Sequence, residues 1–571
     1  MLIIKRSANM NRLKGIPYGI SDFNRLRNDN FYFVDKTIYL PLIERMPSYL
    51  SLTRPRRFGK SLFLSMMRTY YDLLQRDNFD RYFGDLWIGA HPTDQRNHYQ
   101  VLYFDFSKAG CSVPGDGMMA SFNEYSSLVI NQFADDYASF YDPDFKSTVE
   151  SISSAKAKLS YIELKAKAKG YPLYLIIDEY DNFTNVILSE HGQKMFHDLT
   201  HASGFYREYF KQYKGMFDRI FLMGVSPVTL DDLSSGYNID WNISTDSRFN
   251  AMMGFSETEV REMFRYYQEN DALPGDIEAM IAEMKPWYDN YCFARMSLGD
   301  DRVFNCDMTL YYLRSQFDFH RSPEEMVDKN IRTDYSKLKM LARIDHDSAH
   351  EGSRMSTIEE IAAKGEILVN LHTSFPAERV ADVDNFRSLL YYYGLLTMCG
   401  TRGDRLRMCI PNHCVREQYF GFLREYYQQA HPLDLSRLKD QIDDLAYDGV
   451  WKPFFESIAS AYRENSSVRD GMEGERNLQG FLKAYLALAS YYLVEPELEM
   501  NYGYCDFFLL PDKQRYRTLS TATSSNSNTL PAPLPMRNLQ CKPTKGIANF
   551  FNTAKIKWPD NWRRGRLFTG C

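Results

Sequence analysis

A chain of 571 residues, 44% hydrophobic, 25% charged and 15% aromatic, is globular and too long for one hydrophobic core, so roughly three to four domains are expected. Its net charge of −6 gives no global basic field, which speaks against a protein that coats nucleic acid with its whole surface. "MLIIKRSANMNRLKG" has only four leading apolar residues and no later apolar run approaches about 18, so neither a signal peptide nor a membrane span is expected and the protein reads as cytoplasmic.

In chain order, "MLIIKRSAN" has no amphipathic period, and the functional text is expected to start near Met10, at "NRLKGIPYGISDF". Short apolar runs then alternate with longer amphipathic stretches, the rhythm of a parallel α/β sheet. Strands are expected at 48–53, 101–107, 172–178 and 219–226, and a helix at 60–74 with Leu62, Met66, Tyr70 and Leu73 on one face. From residue 254 helical segments with capping-type starts, such as Ser256 before Glu259, run to about residue 415. "GERNLQGFLKAYLALASYYL" (474–493) reads as a helix and "VEPELEMNYGYCDFFLLPD" (494–512) as a strand, turn and strand, after which the text turns into "TLSTATSSNSNTLPAPLP" (518–535). The nine cysteines contain no CxxC pair, and Cys409, His413 and Cys414 lack a second pair at zinc spacing, so reduced thiols are favoured over a metal there.

Two stretches carry chemistry. "YLSLTRPRRFGKSLFL" (49–64) is an apolar strand, a loop ending in Gly59-Lys60-Ser61, and a helix. A phosphate needs that order: helix N-terminal N–H groups face the anion, a lysine reaches its oxygens, and a hydroxyl ligates Mg²⁺. Arg54 stands where the GxxxxGK[ST] pattern has its first glycine. "LYLIIDEYDNF" (173–183) ends an apolar strand in Asp178-Glu179. At a neighbouring strand end, the first carboxylate would hold Mg²⁺ and the second would orient the attacking water. The alternative is a helix cap by Asp178 and a solvated Glu179. Ser226, at the end of "IFLMGVS", reads equally as a γ-phosphate sensor and as a turn serine.

"IPYGISDFNRLRNDNFYFVDKT", "RPRRFGKSLFLSMMRTYYD", "LIIDEYDNF" and "WYDNYCF" together resemble the bacterial AAA-ATPase-like family, which pairs a P-loop domain with a C-terminal PD-(D/E)xK nuclease-like domain. The resemblance covers residues from about 11 to about 510 and implies four parts. These are an AAA-ATPase-like P-loop domain with a parallel sheet (11–250), a mainly helical or winged-helix-like domain (251–415), an incomplete α/β nuclease-like domain (416–514) and an out-of-frame, disordered tail (515–571). It implies ATP and Mg²⁺ as cofactors, Gly59, Lys60 and Ser61 as phosphate and Mg²⁺ residues, and Asp178 and Glu179 as the metal-binding and water-orienting pair. Arg56 and Arg57 read either as phosphate clamps or as solvated loop arginines, and "WYDNYCF" (287–293) as helical-domain core ahead of a base-stacking platform.

At the nuclease-like end the resemblance matches Glu475 on a helix and Asp506 at a strand end to the first two metal-binding positions. Glu-x-Lys should follow, yet residues 513–535 contain no Glu. Begin each codon one base earlier, however, and "TSSNSNT" (523–529), with TCN serines, decodes as two apolar residues, then [EQK]-[LF]-[EQK]-[YH]. That pattern accommodates the missing Ile-Ile-Glu-Leu-Lys-Tyr strand, so a frameshift near residue 515 is expected ahead of a genuine disordered linker. The leading reading is an ATP-binding and ATP-hydrolysing protein whose nuclease-like domain is inactive, leaving Glu475 and Asp506 as a vestigial site. The alternatives are a nucleotide-gated adaptor docking a protein or nucleic-acid partner without significant turnover, and an active Mg²⁺-dependent nuclease. Stimulation of ATP turnover by DNA would separate a nucleic-acid machine from an adaptor.

Overall fold

The computed structural model describes residues 13–109, 116–182, 205–228, 241–300, 302–328, 348–376, 382–430, 432–468, 475–489, 491–500 and 503–511, apart from a few positions within these spans and a few isolated ones beyond them, Phe568–Thr569 among the latter. Residues 1–12, where the functional start near Met10 is expected, lie outside the described residues. The described residues fall into two compact units: those within Met1–Thr333, Arg343–Ser348 and Leu368–Cys414, and those within Asp334–Ala342, Ala349–Ile367 and Val415–Cys571.

The first unit is built on five strands, β1 (Tyr49–Thr53), β2 (Gln100–Asp105), β3 (Leu173–Asp178), β4 (Arg219–Gly224) and β5 (Trp241–Asn242). They hydrogen-bond in the order β2-β3-β4-β1-β5, every pair parallel. All six residues of β3 and all six of β4 are buried, as strands covered on both faces must be, which is why both read as continuous apolar runs. Four expected strands are present with ends within two residues of those expected, while β5, two residues long, leaves no periodic signal. Register aligns the strand ends in one row: Asp105 pairs with Asp178, Asp178 with Met223, and Gly224 with Thr53. The loops after β1 and β3 therefore leave the same edge, with only β4 between them.

The helix after β1 is Lys60–Tyr71, shorter than the expected 60–74 because Asp72 turns extended (ψ 121°) and caps a 3₁₀ segment, Leu73–Asn78. Met66 and Tyr70 are buried as expected, with Phe63, Leu64 and Met67 beside them. Further along, Ser256 and Glu259 form the reciprocal capping box that opens helix Glu257–Glu269. Val260, Met263, Phe264 and Tyr267 of that helix enter a core shared with helices Ile277–Tyr288 and Cys306–Phe319. A hairpin not anticipated from the sequence, Thr397–Arg402 with Arg405–Cys409, turns on Gly403-Asp404, where Gly403 takes φ 62°.

The second unit includes helices Lys452–Val468 and Glu475–Leu486 and the antiparallel pair Tyr492–Met500 and Gly503–Pro511, the expected helix, strand, turn and strand. Residues 512–567 lie outside the described residues, and the out-of-frame tail expected at 515–571 falls largely on them. Phe568–Thr569 departs from that expectation by pairing parallel with Phe508–Leu509. Lys483 is 1% exposed, and its ammonium donates to the carbonyls of Ala362 (3.3 Å) and Ala363 at the C-terminal end of helix Ser348–Lys364. Those carbonyls have no partner within their helix and sit at its negative pole. Lys483→Met, which keeps the apolar stem, is expected to lower stability by about 1–3 kcal/mol, measured by chemical denaturation.

Candidate functional site

The Arg54–Ser61 loop ends in a residue that only a glycine adopts cheaply: Gly59 has φ 85° and caps helix Lys60–Tyr71 without a side-chain bond. The first N–H groups of that helix are thus left for another acceptor. Lys60 is 6% exposed and its ammonium lies back across the loop, donating to the carbonyls of Arg54 (3.1 Å) and Pro55 (3.0 Å). Burial lowers its pKa, while the carboxylates of Asp178, Glu179 and Asp181 oppose that shift.

Ser61 lies beside Asp178 and favours the charged form of its carboxylate. Asp178, 3% exposed at the end of β3, accepts from the Glu179 N–H (3.0 Å) and the Tyr103 hydroxyl (3.3 Å). Burial raises its pKa, against the pull of Ser61 and Lys60. Glu179 sits at φ 51°, a conformation uncommon for a non-glycine residue and often found at functional sites. Its pKa is raised by burial and lowered by the neighbouring Arg56 and Lys60. The structure thus brings Lys60, Ser61, Asp178 and Glu179 together at one sheet edge.

Asp181 escapes a reading of the motif pair, although "DEYD" displays it three residues after Asp178. It is buried, and its carboxylate accepts from the N–H groups of Val225 and Ser226 (2.6 Å to Ser226), tying the end of β3 to the end of β4. The approach is close enough that a Cβ on Gly224 would lie 2.3 Å from the Asp181 carboxylate. Ser226 is buried beside it; its hydroxyl accepts from the Val228 N–H (3.3 Å), and its carbonyl accepts from the Tyr180 hydroxyl (2.8 Å). Arg57, at φ 68°, pairs with Asp307 at 3.8 Å, whereas Arg56 lies beside Glu179.

In "WYDNYCF", Tyr288, Tyr291, Cys292 and Phe293 are buried, and the Tyr291 and Phe293 rings stand edge-on to Phe58 at 4.8 and 5.5 Å. This segment is core that packs beneath the loop. Phe58 also lines an apolar cavity with Ile20, Tyr32, Gly59, Leu62, Met66 and Met253.

A hydroxyl beside a buried carboxylate is a hard-oxygen donor pair of the kind Mg²⁺ uses when substrate oxygens and waters complete its shell. Among the described residues there is no group of three His, Cys, Asp or Glu able to hold a metal, which covers Cys409, His413 and Cys414. Glu475 begins its helix, and Asp506 lies in strand Gly503–Pro511 between residues paired with Leu498 and Pro496; both side chains lie outside the described residues.

A parallel sheet that presents a lysine-serine loop and a carboxylate pair at one edge defines an α/β protein of ATPase-like type. Residues 17–234 match the family described as predicted AAA-ATPase, and residues 473–521 match the PD-(D/E)XK nuclease superfamily. The chain therefore carries an AAA-ATPase-like domain and a PD-(D/E)XK nuclease superfamily domain, in that order. It is also similar to an uncharacterized protein in the vnfD 5' region of Azotobacter chroococcum mcd 1, 29% identical over 318 residues. The match takes in 53% of each chain, so the protein spans about half the length of that relative. Among the described residues no helix is long and apolar enough to cross a membrane.

Proposed function

We propose that the protein is a P-loop ATPase: it binds ATP with Mg²⁺ at the Arg54–Ser61 loop and hydrolyses it, while its nuclease-like domain is inactive as translated. The observation that carries this reading is the placement of Ser61 and Lys60 beside the Asp178 carboxylate, across the one strand, β4, that separates β1 from β3. The apolar cavity beside Gly59 and Leu62 supports a nucleotide over a bare phosphate, because it offers a base an apolar slot next to the phosphate loop.

In this reading the uncapped N–H groups after Gly59 bind phosphate oxygens, and Lys60 leaves the Arg54 and Pro55 carbonyls to reach them. Ser61 and Asp178 would hold Mg²⁺, which supplies neutralisation of charge on the phosphates. Glu179 orients the attacking water and accepts its proton.

Lys60→Ala removes the buried ammonium of the phosphate loop and is expected to weaken ATP binding or turnover by roughly a hundred-fold or more. Wild-type nucleotide affinity and rate in that variant would refute the assignment. The absence of any Glu from residues 513–535 supports the inactive nuclease, since the Glu-x-Lys element has no source there in the frame as read. The superfamily match ends at residue 521, just past the expected frameshift, which supports the same reading.

A further inference from the structure

Arg54 occupies the place of a glycine in the usual phosphate loop, yet its side chain does not face the phosphate site. It is 1% exposed, and its guanidinium donates to three backbone carbonyls: Thr53 (3.0 Å), Ser244 (2.6 Å) and Phe249 (3.0 Å). The same guanidinium lies 4.4 Å over the Phe293 ring. Its side-chain hydrogen bonds all go to carbonyls, and burial lowers its pKa to about 10, so it is a buried cation held by carbonyl dipoles and an aromatic face. Its main chain is held as tightly: the Arg54 N–H donates to the Gly224 carbonyl at 3.1 Å, and its own carbonyl accepts from Lys60.

We infer that Arg54 is a positioning residue for nucleotide binding, which fixes the start of the phosphate loop so that the N–H groups near Gly59 and the Lys60 ammonium are pre-set for a triphosphate. A usual first glycine gives the loop its shape through conformational freedom. Here the chain fixes the same point from outside, with carbonyls that follow β5 and a ring from "WYDNYCF". Anchoring the loop before the ligand arrives lowers the ordering that binding must supply. Removing the guanidinium takes a donor from three carbonyls, of which Phe249 keeps the Met252 N–H (3.3 Å), and frees the loop.

This inference rests on the ATP-binding reading, and the test separates the two. ATP affinity is measured with a fluorescent analogue, alongside thermal unfolding and steady-state kinetics, in the full chain and in R54M, R54K and F293L. Met keeps the packing onto Phe293 without the donors; Lys restores a charge and one or two donors without the fork. F293L keeps the hydrogen bonds and removes the ring. Expected are an ATP Kd raised about ten-fold or more in folded R54M, partial recovery in R54K, and a rise of roughly three-fold in F293L. In each variant KM should rise more than kcat falls, which a general loss of folded protein would not produce. If R54M does not fold, R54K and F293L carry the test, and both must bind ATP more weakly than the wild type. Wild-type affinity in folded R54M, or, where R54M does not fold, in either R54K or F293L, overturns the positioning role. Failure of the wild-type chain itself to bind ATP overturns the nucleotide reading, a result no Arg54 variant mimics.

Discussion

Glu179→Gln is expected to bind ATP as tightly as the wild type and to hydrolyse it at least about a hundred-fold more slowly, the size of effect that a positioned general base contributes. The two parts of the expectation have separate causes. Affinity is set by the loop, by Lys60 and by the Ser61–Asp178 pair, none of which Gln at position 179 alters. The rate depends on a carboxylate held at the strand end, at φ 51°, beside two cations. Glutamine keeps the size and hydrogen-bonding reach of that side chain but accepts no proton. The pH profile gives an independent check. Burial raises the Glu179 pKa, so as pH falls the carboxylate is neutralised earlier than an ordinary glutamate and the wild-type rate should drop on that limb. The slow residual rate of the Gln variant should lack this limb. Normal turnover in Glu179→Gln would show that the attacking water is oriented by another group.

The parts of the site legible in the sequence are those set by local chain geometry. Gly59-Lys60-Ser61 between an apolar strand and a helix, and Asp178-Glu179 at the end of another strand, state their own positions, and parallel register brings them to one edge. What the sequence hides is what distant segments do to that edge. Arg54 reads as a departure from a consensus until its partners appear, and they lie 190, 195 and 239 positions further along, at Ser244, Phe249 and Phe293. "WYDNYCF" is legible as core, but not as the floor beneath Phe58. The Thr397–Cys409 hairpin is a different kind of miss. Its Gly403-Asp404 turn and the alternation Arg405-Leu406-Arg407-Met408, with Leu406 and Met408 buried, are local signals available in "TMCGTRGDRLRMC", whereas the partner strand "TMCGTR" carries no such alternation.

Adding one base, or deleting two, at codons 513–517 is expected to convert a chain with no Mg²⁺-dependent cleavage of DNA into a nuclease. Hydrolysis of a phosphodiester by this superfamily's chemistry needs carboxylates to hold Mg²⁺ and a lysine to help activate water. The resemblance assigns Glu475 and Asp506 to the first two positions, on a helix and on the second strand of a hairpin, and the backbone follows that order. The third position needs an apolar strand bearing Glu-x-Lys soon after Pro511, and the text there, with no Glu in residues 513–535, does not supply it. Shifted by one base, "TSSNSNT" supplies that pattern, and the shifted "ANFFNT" (548–553) becomes [EQK]-[LF]-[LF]-Gln-[YH], the period of an amphipathic helix. Two windows that regain folded-protein patterns in the same shifted frame are hard to expect of a linker selected for disorder. The restored protein should therefore cut DNA in Mg²⁺ and lose that activity when either residue of the recovered Glu-x-Lys is replaced, with ATP binding at the first domain unchanged. A stop codon in the shifted frame before that strand, or cleavage by the chain as it stands, would end the proposal.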